Sequence, residues 1–242
     1  MSTPQIQLRS VLVHARAPDE RRESVTLAQA AEVSFEEYLP VRSVPHRVGQ
    51  AHTPSWHYST TTNRMIECES YLERVWMTLL DFDLDVVAYS AQPMLLEGAD
   101  QDGVFKAFPD LFVRRTDGRG TLVEVKNPAK LEHPRVRQAA ARVAACAAAA
   151  GWSYRLLGAP DPQLAGNVLH LAGFRRPVAG VAQYRGALLA AAVRPIRFGE
   201  LAAAMADEAV ARAVIQHLCW TRQLRVDLSR PLEDTSLVQA AG

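Results

Sequence analysis

The fold is decided by one stretch, FPDLFVRRTDGRGTLVEVK, which runs from Phe108 to Lys126. It contains two short apolar runs on either side of a charged turn, and the Asp-Gly pair in that turn favours a β-hairpin. Because side chains alternate between the faces of a strand, Glu124 and Lys126 are expected on one face, about 6.5 to 7 Å apart. If the two strands pair, Asp110 lies beside Glu124. The stretch therefore predicts a hairpin that brings two carboxylates and an ammonium to one edge of a sheet.

These three charged groups suit a hard divalent cation and an activated water, which phosphodiester cleavage needs. Asp110 and Glu124 stand within apolar runs, where an unpaired charge is costly unless something binds it. Lys126 is one of only three lysines in a chain with 24 arginines, and its compact ammonium is a charge that a guanidinium does not imitate. The pattern therefore indicates a nuclease site. The alternative is that Glu124 and Lys126 form an ordinary solvated strand face.

The composition of the chain places few limits on its function. Its 242 residues allow one large domain or two smaller ones, and 48% hydrophobic with 22% charged residues is typical of soluble globular proteins. The formal net charge of +1 provides no overall basic field. Any surface for nucleic acid must therefore come from local clustering of charge.

Cysteine usage and the N-terminal segment bear on the compartment. Cys68, Cys146 and Cys219 are scattered and form no Cys-x-x-Cys pair, which argues against a disulfide framework and a thiolate zinc site. The polar segment 1–22 lacks the apolar stretch of a signal peptide, and no window reaches about 18 uninterrupted apolar residues. We therefore expect a cytoplasmic protein that is not bound to a membrane.

The hydrophobic pattern divides the chain into three parts. Residues 1–65 are loop-rich and are expected to form an N-terminal arm that packs on the core. Residues 66–177 predict an α/β core, beginning with a helix that Ser70 caps. Residues 178–242 predict three helices and a β-hairpin, the layout of a winged helix-turn-helix domain. Segment 175–242 carries nine arginines against six acidic residues, a surplus compatible with phosphate contact, although such domains also bind proteins.

With these residues in place, the chain resembles the TnsA family, the endonuclease subunits of heteromeric cut-and-paste transposases. The resemblance extends in order over roughly residues 40–240. Ala91 departs from it, since relatives often have an acidic residue there, and Leu111 separates two residues that are usually an adjacent Asp-Phe pair. The matching segments are His46-Arg47, Ser70-Tyr71-Leu72-Glu73, Val86-Val87, Gln92-Pro93, Pro109-Asp110-Leu111-Phe112-Val113 and Glu124-Val125-Lys126-Asn127-Pro128.

The resemblance implies a fold and a set of residue roles. The fold would be α/β, with a restriction-endonuclease-like mixed-sheet core of the PD-(D/E)xK type at 66–177 and a C-terminal winged-helix-like domain. Glu73, Asp110 and Glu124 would bind Mg²⁺ or Mn²⁺ or orient its water, with the Val125 carbonyl as a further ligand. Lys126 would stabilise the attacking water or the charge that develops on the phosphate. For Glu73 the alternative is a solvent-facing position on a charged helix.

The resemblance also implies a function. The protein would be a metal-dependent DNA endonuclease subunit that hydrolyses a phosphodiester of double-stranded DNA at transposon ends. Its partners would be the transposase subunit and the AAA+ ATPase of the same transposon. Two alternatives stay open: a stand-alone restriction or repair endonuclease with the same core, and a winged-helix DNA-binding protein that no longer cuts. The four intact charged residues speak against the last alternative.

The histidines are weaker candidates. His46, His52 and His57 lie in the N-terminal arm with a spacing that matches no class of zinc site, so we expect them to be solvated. His133 follows the catalytic strand and either approaches a phosphate or begins a charged helix. The same two interpretations apply to Lys130, Arg135 and Arg137.

Overall fold

The computed structural model describes residues 6–42 and 55–242, and in these ranges the chain has a mixed α/β fold with several sheets. The family-matched pair His46-Arg47, and His52, lie outside the described residues. The strands are β1 (Ser10–Arg16), β2 (Arg22–Thr26), β3 (Ser55–Ser59), β4 (Arg64–Cys68), β5 (Val86–Ala91), β6 (Met94–Asp100), β7 (Gly103–Ala107), β8 (Leu111–Arg115), β9 (Gly120–Val125), β10 (Ser153–Leu157), β11 (Ile196–Arg197), β12 (Leu224–Val226) and β13 (Leu237–Ala240). The α-helices are α1 (Leu27–Ala30), α2 (Tyr71–Phe82), α3 (Pro134–Ala149), α4 (Pro162–Leu171), α5 (Val181–Ala191), α6 (Phe198–Ala203) and α7 (Glu208–Trp220).

The chain divides into two compact units. The first unit contains residues 1–77 and 83–159, and the second contains residues 78–82 and 160–242. The hydrophobic pattern of the sequence predicts the last boundary at 177 instead. The difference comes from α4, because Val168 and Leu171 of this helix are fully buried in the core of the second unit. In the described parts of the chain, no helix is long and apolar enough to cross a membrane.

The predicted hairpin is formed by β8 and β9, which pair in antiparallel fashion with Leu111 opposite Val123. It lies in the middle of a four-stranded sheet with the order β10-β9-β8-β5. β5 is antiparallel to β8, whereas β10 is parallel to β9 and is reached through α3. Gly120 begins β9 where a side chain does not fit, since an added Cβ would lie 2.6 Å from the ring of Phe112.

A second four-stranded sheet, ordered β2-β1-β6-β7, is antiparallel throughout. Its first two strands come from residues 10–26, which the sequence analysis describes as part of a loop-rich arm. Their sequence pattern is weak because only alternate residues of β1, Val13 and Ala15, are buried, while the other face stays partly exposed. β3 and β4 form a separate two-stranded hairpin.

The hydrophobic core of the first unit lies against one face of the β8–β9 hairpin. Phe112 and Leu122 from the hairpin pack there with Val143 of α3 and Leu96 of β6, and all four side chains are fully buried. Trp152 closes this core, with its ring centroid 5.1 Å from that of Phe112. Strand alternation puts Asp110 and Glu124 on the same face as Phe112 and Leu122. The two carboxylates therefore lie next to these apolar side chains, at one end of the hairpin.

The second unit contains the three helices and the hairpin that the sequence predicts for its C-terminal part. Asp207 caps α7, because its side chain accepts a hydrogen bond of 3.0 Å from the Val210 N–H. Leu188 of α5, Leu201 of α6 and Val214 of α7 are fully buried in its core. The short strands form a three-stranded sheet in the order β11-β13-β12.

Candidate active site

The structure brings Asp110, Glu124 and Lys126 together at the end of the β8–β9 hairpin. Asp110 immediately precedes β8, and the register of the hairpin, Leu111 opposite Val123, continues to place it opposite Glu124. The Nζ atom of Lys126 donates a hydrogen bond of 3.0 Å to Oδ2 of Asp110. The same atom lies 3.5 Å from Oε1 of Glu124. One ammonium therefore joins the two carboxylates.

Burial shifts the pKa values of Glu124 and Lys126. Asp110 and Glu124 are each 7% exposed, so the interpretation of a solvated strand face does not hold for Glu124. Burial raises the pKa of the Glu124 carboxyl, and the charge of Lys126 opposes this increase. Burial lowers the pKa of Lys126, but the charges of Asp110 and Glu124 outweigh it, so the net shift is upward. Lys126 is therefore held in its charged form.

The backbone on both sides of Asp110 fixes its position. The Val125 N–H donates a hydrogen bond of 2.7 Å to Oδ2 of Asp110. The carbonyl oxygen of Asp110 accepts one of 2.9 Å from the Gln92 N–H. Gln92 is 4% exposed and has a positive φ of 47°, a backbone conformation that costs free energy for a residue other than glycine. The surrounding contacts compensate that cost at the site.

Tyr154 belongs to the site, although no pattern in the sequence predicts it there. Its hydroxyl donates a hydrogen bond of 2.7 Å to Oε2 of Glu124. The parallel pairing of β10 with β9 sets Tyr154 opposite Leu122. Leu122 and Glu124 are two residues apart and project from the same face of β9, so Tyr154 can reach Glu124. Burial, followed by the charge of Glu124, raises the pKa of the Tyr154 hydroxyl, so it remains a hydrogen-bond donor. No local pattern reveals this partner, because parallel pairing joins strands that are distant in the sequence.

Glu73 lies in the first turn of α2 and is buried, with 8% of its surface exposed. The solvent-facing alternative for this residue is thereby excluded. Its carboxylate accepts a hydrogen bond of 2.8 Å from the Ser70 hydroxyl and one of 3.0 Å from the Glu69 N–H. The Ser70 Oγ accepts in turn from the Glu73 N–H at 3.2 Å, which confirms Ser70 as the predicted cap. Burial, and next the charge of Asp110, raise the pKa of Glu73 to about 7.

Arg42 links the segments that carry these acids, and the sequence analysis misses it. Its Nη2 atom donates a hydrogen bond of 2.8 Å to Glu69 Oε1, and its Nε atom donates one of 3.2 Å to Gln92 Oε1. The guanidinium lies over the ring of Phe108, 4.9 Å from its centroid. Glu69 donates its N–H to Glu73, and Gln92 donates its N–H to the Asp110 carbonyl oxygen. Arg42 therefore connects the segments that hold these two acids.

The donor set fits a hard divalent cation. Carboxylate oxygens are the ligands that Mg²⁺ and Mn²⁺ prefer, and the charge of Asp110 acts on both Glu73 and Glu124. Within 6–42 and 55–242, no cluster of three or more His, Cys, Asp or Glu side chains is arranged to hold a metal ion. Lys126 instead contacts two of the acids. The Val125 carbonyl stays a predicted ligand, and the N–H of the same residue binds Asp110.

Two of the histidines singled out in the sequence, His57 and His133, lie in the described residues. His57 is buried on β3, so the expectation that it is solvated is wrong. His133 begins α3, where its Nδ1 atom accepts a hydrogen bond of 3.3 Å from the Arg135 N–H. Of the two interpretations of His133, the structure thus supports a helix start.

No protein-family model matches the chain, and no curated protein matches it.

Proposed function

We propose that the protein is a metal-dependent DNA endonuclease. The observation that carries this proposal is the meeting of Asp110 and Glu124 at Lys126, next to the buried Glu73. Each acid is held by hydrogen bonds from its surroundings, which is how a site that must keep its geometry is built. Two or three acids beside a charged lysine suit hydrolysis of a phosphodiester better than a purely structural role, because the burial of like charges lowers stability.

Each residue of the site would have a separate role in the proposed reaction. Asp110, Glu124 and Glu73, with the Val125 carbonyl, would hold Mg²⁺ or Mn²⁺, which when bound lowers the pKa of a water and offsets the charge of the phosphate. The ammonium of Lys126 would donate hydrogen bonds to the attacking water or to the phosphate oxygens. Tyr154 would keep Glu124 in one orientation through its hydroxyl.

The topology supports a restriction-endonuclease-like core. An acid-bearing helix, α2, precedes an antiparallel β5-β8-β9 arrangement, and α3 crosses over to the parallel strand β10. The acids lie at the strand ends of this mixed sheet. In the second unit, the order helix, strand, helix, helix, strand, strand from α5 to β13, with the sheet order β11-β13-β12, supports a winged-helix-like domain.

We further propose that the nuclease works as one subunit of a heteromeric transposase, with a transposase subunit and an AAA+ ATPase as partners at transposon ends. This role rests on the ordered resemblance to the TnsA family. A stand-alone restriction or repair endonuclease is the second candidate, because the same acids would serve it equally. A winged-helix DNA-binding protein without activity is the third, and the organised acids argue against it.

One contact bears on what the second unit binds. Arg212 is the only arginine or lysine of α7, the helix that would enter the major groove in a helix-turn-helix protein. Both of its terminal nitrogens bind Asp234, at 2.6 and 2.9 Å, and its Nε atom binds Glu208 at 2.9 Å. Its charge is therefore already neutralised. This favours a protein partner over DNA for this unit.

The test is cleavage of a duplex that carries a transposon end, with Mg²⁺, by the full chain alone and with a transposase partner. We expect cutting only with the partner, and a loss of about 10²-fold or more in the Asp110→Asn variant. The matched control is Asp117→Asn, which changes an exposed acid in the β8–β9 turn. Specific cutting without a partner would favour the stand-alone enzyme. Equal cutting by Asp110→Asn and wild type would contradict the assignment of Asp110 to the active site.

A further inference from the structure

A groove in the first unit lies outside the group of acids described above. Its volume is about 550 Å³, and it runs between the β3–β4 hairpin, the segment 38–42 and the end of β5. Four arginines line it, whereas Glu67 is its one acidic lining residue. The arginines are Arg16, Arg22, Arg42 and Arg64.

Two of these arginines oppose each other. Arg16 and Arg22 are direct partners in the antiparallel pairing of β1 with β2, and like charges in that arrangement destabilise a sheet. Arg16 is relieved in part by Glu20, at 3.3 Å. In the described ranges no carboxylate pairs with Arg22. The pair therefore places positive charge on this face of the sheet, and a bound anion would relieve the repulsion.

Arg64 adds a third positive charge to the groove. Its Nη2 atom donates a hydrogen bond of 2.7 Å to the carbonyl oxygen of Glu36, which fixes the guanidinium without cancelling its charge. Within the described residues no carboxylate pairs with Arg64. Arg42 pairs with Glu69 at 2.8 Å, so the groove arginines without a carboxylate partner in the described residues are Arg22 and Arg64. Positive charge clustered in this way is what a polyanion requires.

The β3–β4 hairpin gives the groove an aromatic surface. One face of the hairpin is buried through His57, Ile66 and Cys68, whereas Trp56 on the other face is 60% exposed. Met65, which also lines the groove, is 55% exposed. An exposed tryptophan among arginines is the combination by which proteins stack an unpaired base and hold the flanking phosphates.

We propose that this groove binds an unpaired DNA strand, with the base stacked on Trp56 and the phosphates held by Arg16, Arg22 and Arg64. A duplex does not suit it, because stacked and paired bases hide the faces that Trp56 would contact. The groove borders the segment that holds Asp110, since Arg42 lines it and binds Gln92, whose N–H donates to the Asp110 carbonyl oxygen. The inference rests on the proposed function, because it names the form of DNA that would approach that site.

The test is the binding of a short fluorescein-labelled oligothymidine to the full chain, followed by fluorescence anisotropy with EDTA present so that no cleavage occurs. We expect the single strand to bind more tightly than a duplex of the same length, and Trp56→Ala to weaken it by about tenfold. Trp56→Phe should keep most of the affinity, because phenylalanine retains a stacking face. Arg22→Gln and Arg64→Gln should each lower the salt slope by about 0.7. Arg119→Gln, at an exposed arginine of the β8–β9 turn, should leave binding unchanged.

Several outcomes would overturn the inference. These are equal binding by Trp56→Ala and wild type, a preference for the duplex, a preference for an RNA strand, or equal affinity for a strand of abasic sites. Cleavage is measured separately with Mg²⁺, so the two proposals fail independently. Loss of cutting in Asp110→Asn with intact strand binding supports both of them. A Trp56→Ala protein that cuts normally and binds the strand as well as wild type would contradict strand binding by the groove and leave the proposed nuclease activity intact.

Discussion

The Nζ atom of Lys126 lies 3.0 Å from Oδ2 of Asp110. This contact joins two residues sixteen positions apart through a hairpin, and it places an ammonium where two carboxylates converge. The lysine lowers the cost of burying those acids while it keeps them close together. The same few atoms thus bear on the stability of the site and on the proposed activity, and each can be tested by substitution.

Replacing Asp110 should lower the stability of the metal-free protein. Asp110→Ala leaves the Val125 N–H without its acceptor and removes one of the two carboxylates that offset Lys126. We expect a loss of about 1 to 3 kcal/mol in the free energy of unfolding, measured by urea denaturation. Asp110→Asn retains an acceptor oxygen and should lose less. An Ala variant as stable as wild type would show that repulsion between Asp110 and the other acids outweighs these hydrogen bonds.

The identity of the lysine should matter for the reaction. Lys126→Arg keeps the positive charge, but a planar guanidinium does not reproduce the position of the compact ammonium between Asp110 and Glu124. We expect the cleavage rate to fall by about 10²-fold, which corresponds to about 3 kcal/mol of transition-state stabilisation. The matched control is Lys106→Arg, because Lys106 is exposed on β7 and pairs only with Glu97 among the described residues. Wild-type rates in Lys126→Arg would argue against a role for Lys126 in the reaction.

Glu73 should make the metal-free protein less stable as the pH rises. Its folded-state pKa is raised from 4.5 to about 7, so between these values the folded protein holds a proton that the unfolded chain releases. The free energy of unfolding therefore falls as the pH rises through this window and levels out above it.

Glu73→Gln tests this dependence, because glutamine can still accept in the cap but does not ionise. We expect the variant to match wild type near pH 4.5 and to exceed it at pH 8 by up to roughly 3 kcal/mol. The measurement is thermal unfolding across this range in EDTA, with Glu132→Gln as a control at an exposed acid. A difference between variant and wild type that does not change with pH would contradict the prediction.

Tyr154 should act through Glu124 rather than on the substrate. Tyr154→Phe keeps the packed ring but removes the hydrogen bond to Glu124, which lowers the pKa of that carboxyl. The acidic limb of the pH–rate profile should therefore move to higher pH, with about 1 kcal/mol of lost stability. Tyr184→Phe, at a buried tyrosine of the second unit, is the matched control. A lower rate with an unmoved pH profile would assign Tyr154 a purely structural role.

Local signals in the sequence account for the parts of the site that lie close together along the chain. The Asp-Gly turn and the alternation of residues predict the β8–β9 hairpin and the position of Asp110 beside Glu124, since both depend on neighbouring backbone geometry. The Ser70 cap is predicted for the same reason. The nature of the metal and the reaction that these acids support remain predictions, which the experiments above address.

Local sequence signals therefore predict the β8–β9 hairpin, the Ser70 cap and the three helices α5, α6 and α7, because turn chemistry and hydrophobic periodicity act over a few residues. Three features become visible only in the folded chain: Glu73 is buried, Tyr154 donates a hydrogen bond to Glu124, and α4 packs in the core of the second unit. These features depend on which distant apolar surfaces pack together and in which register distant strands pair. No short window of residues contains that information, because the free energy that selects it comes from contacts across the whole fold.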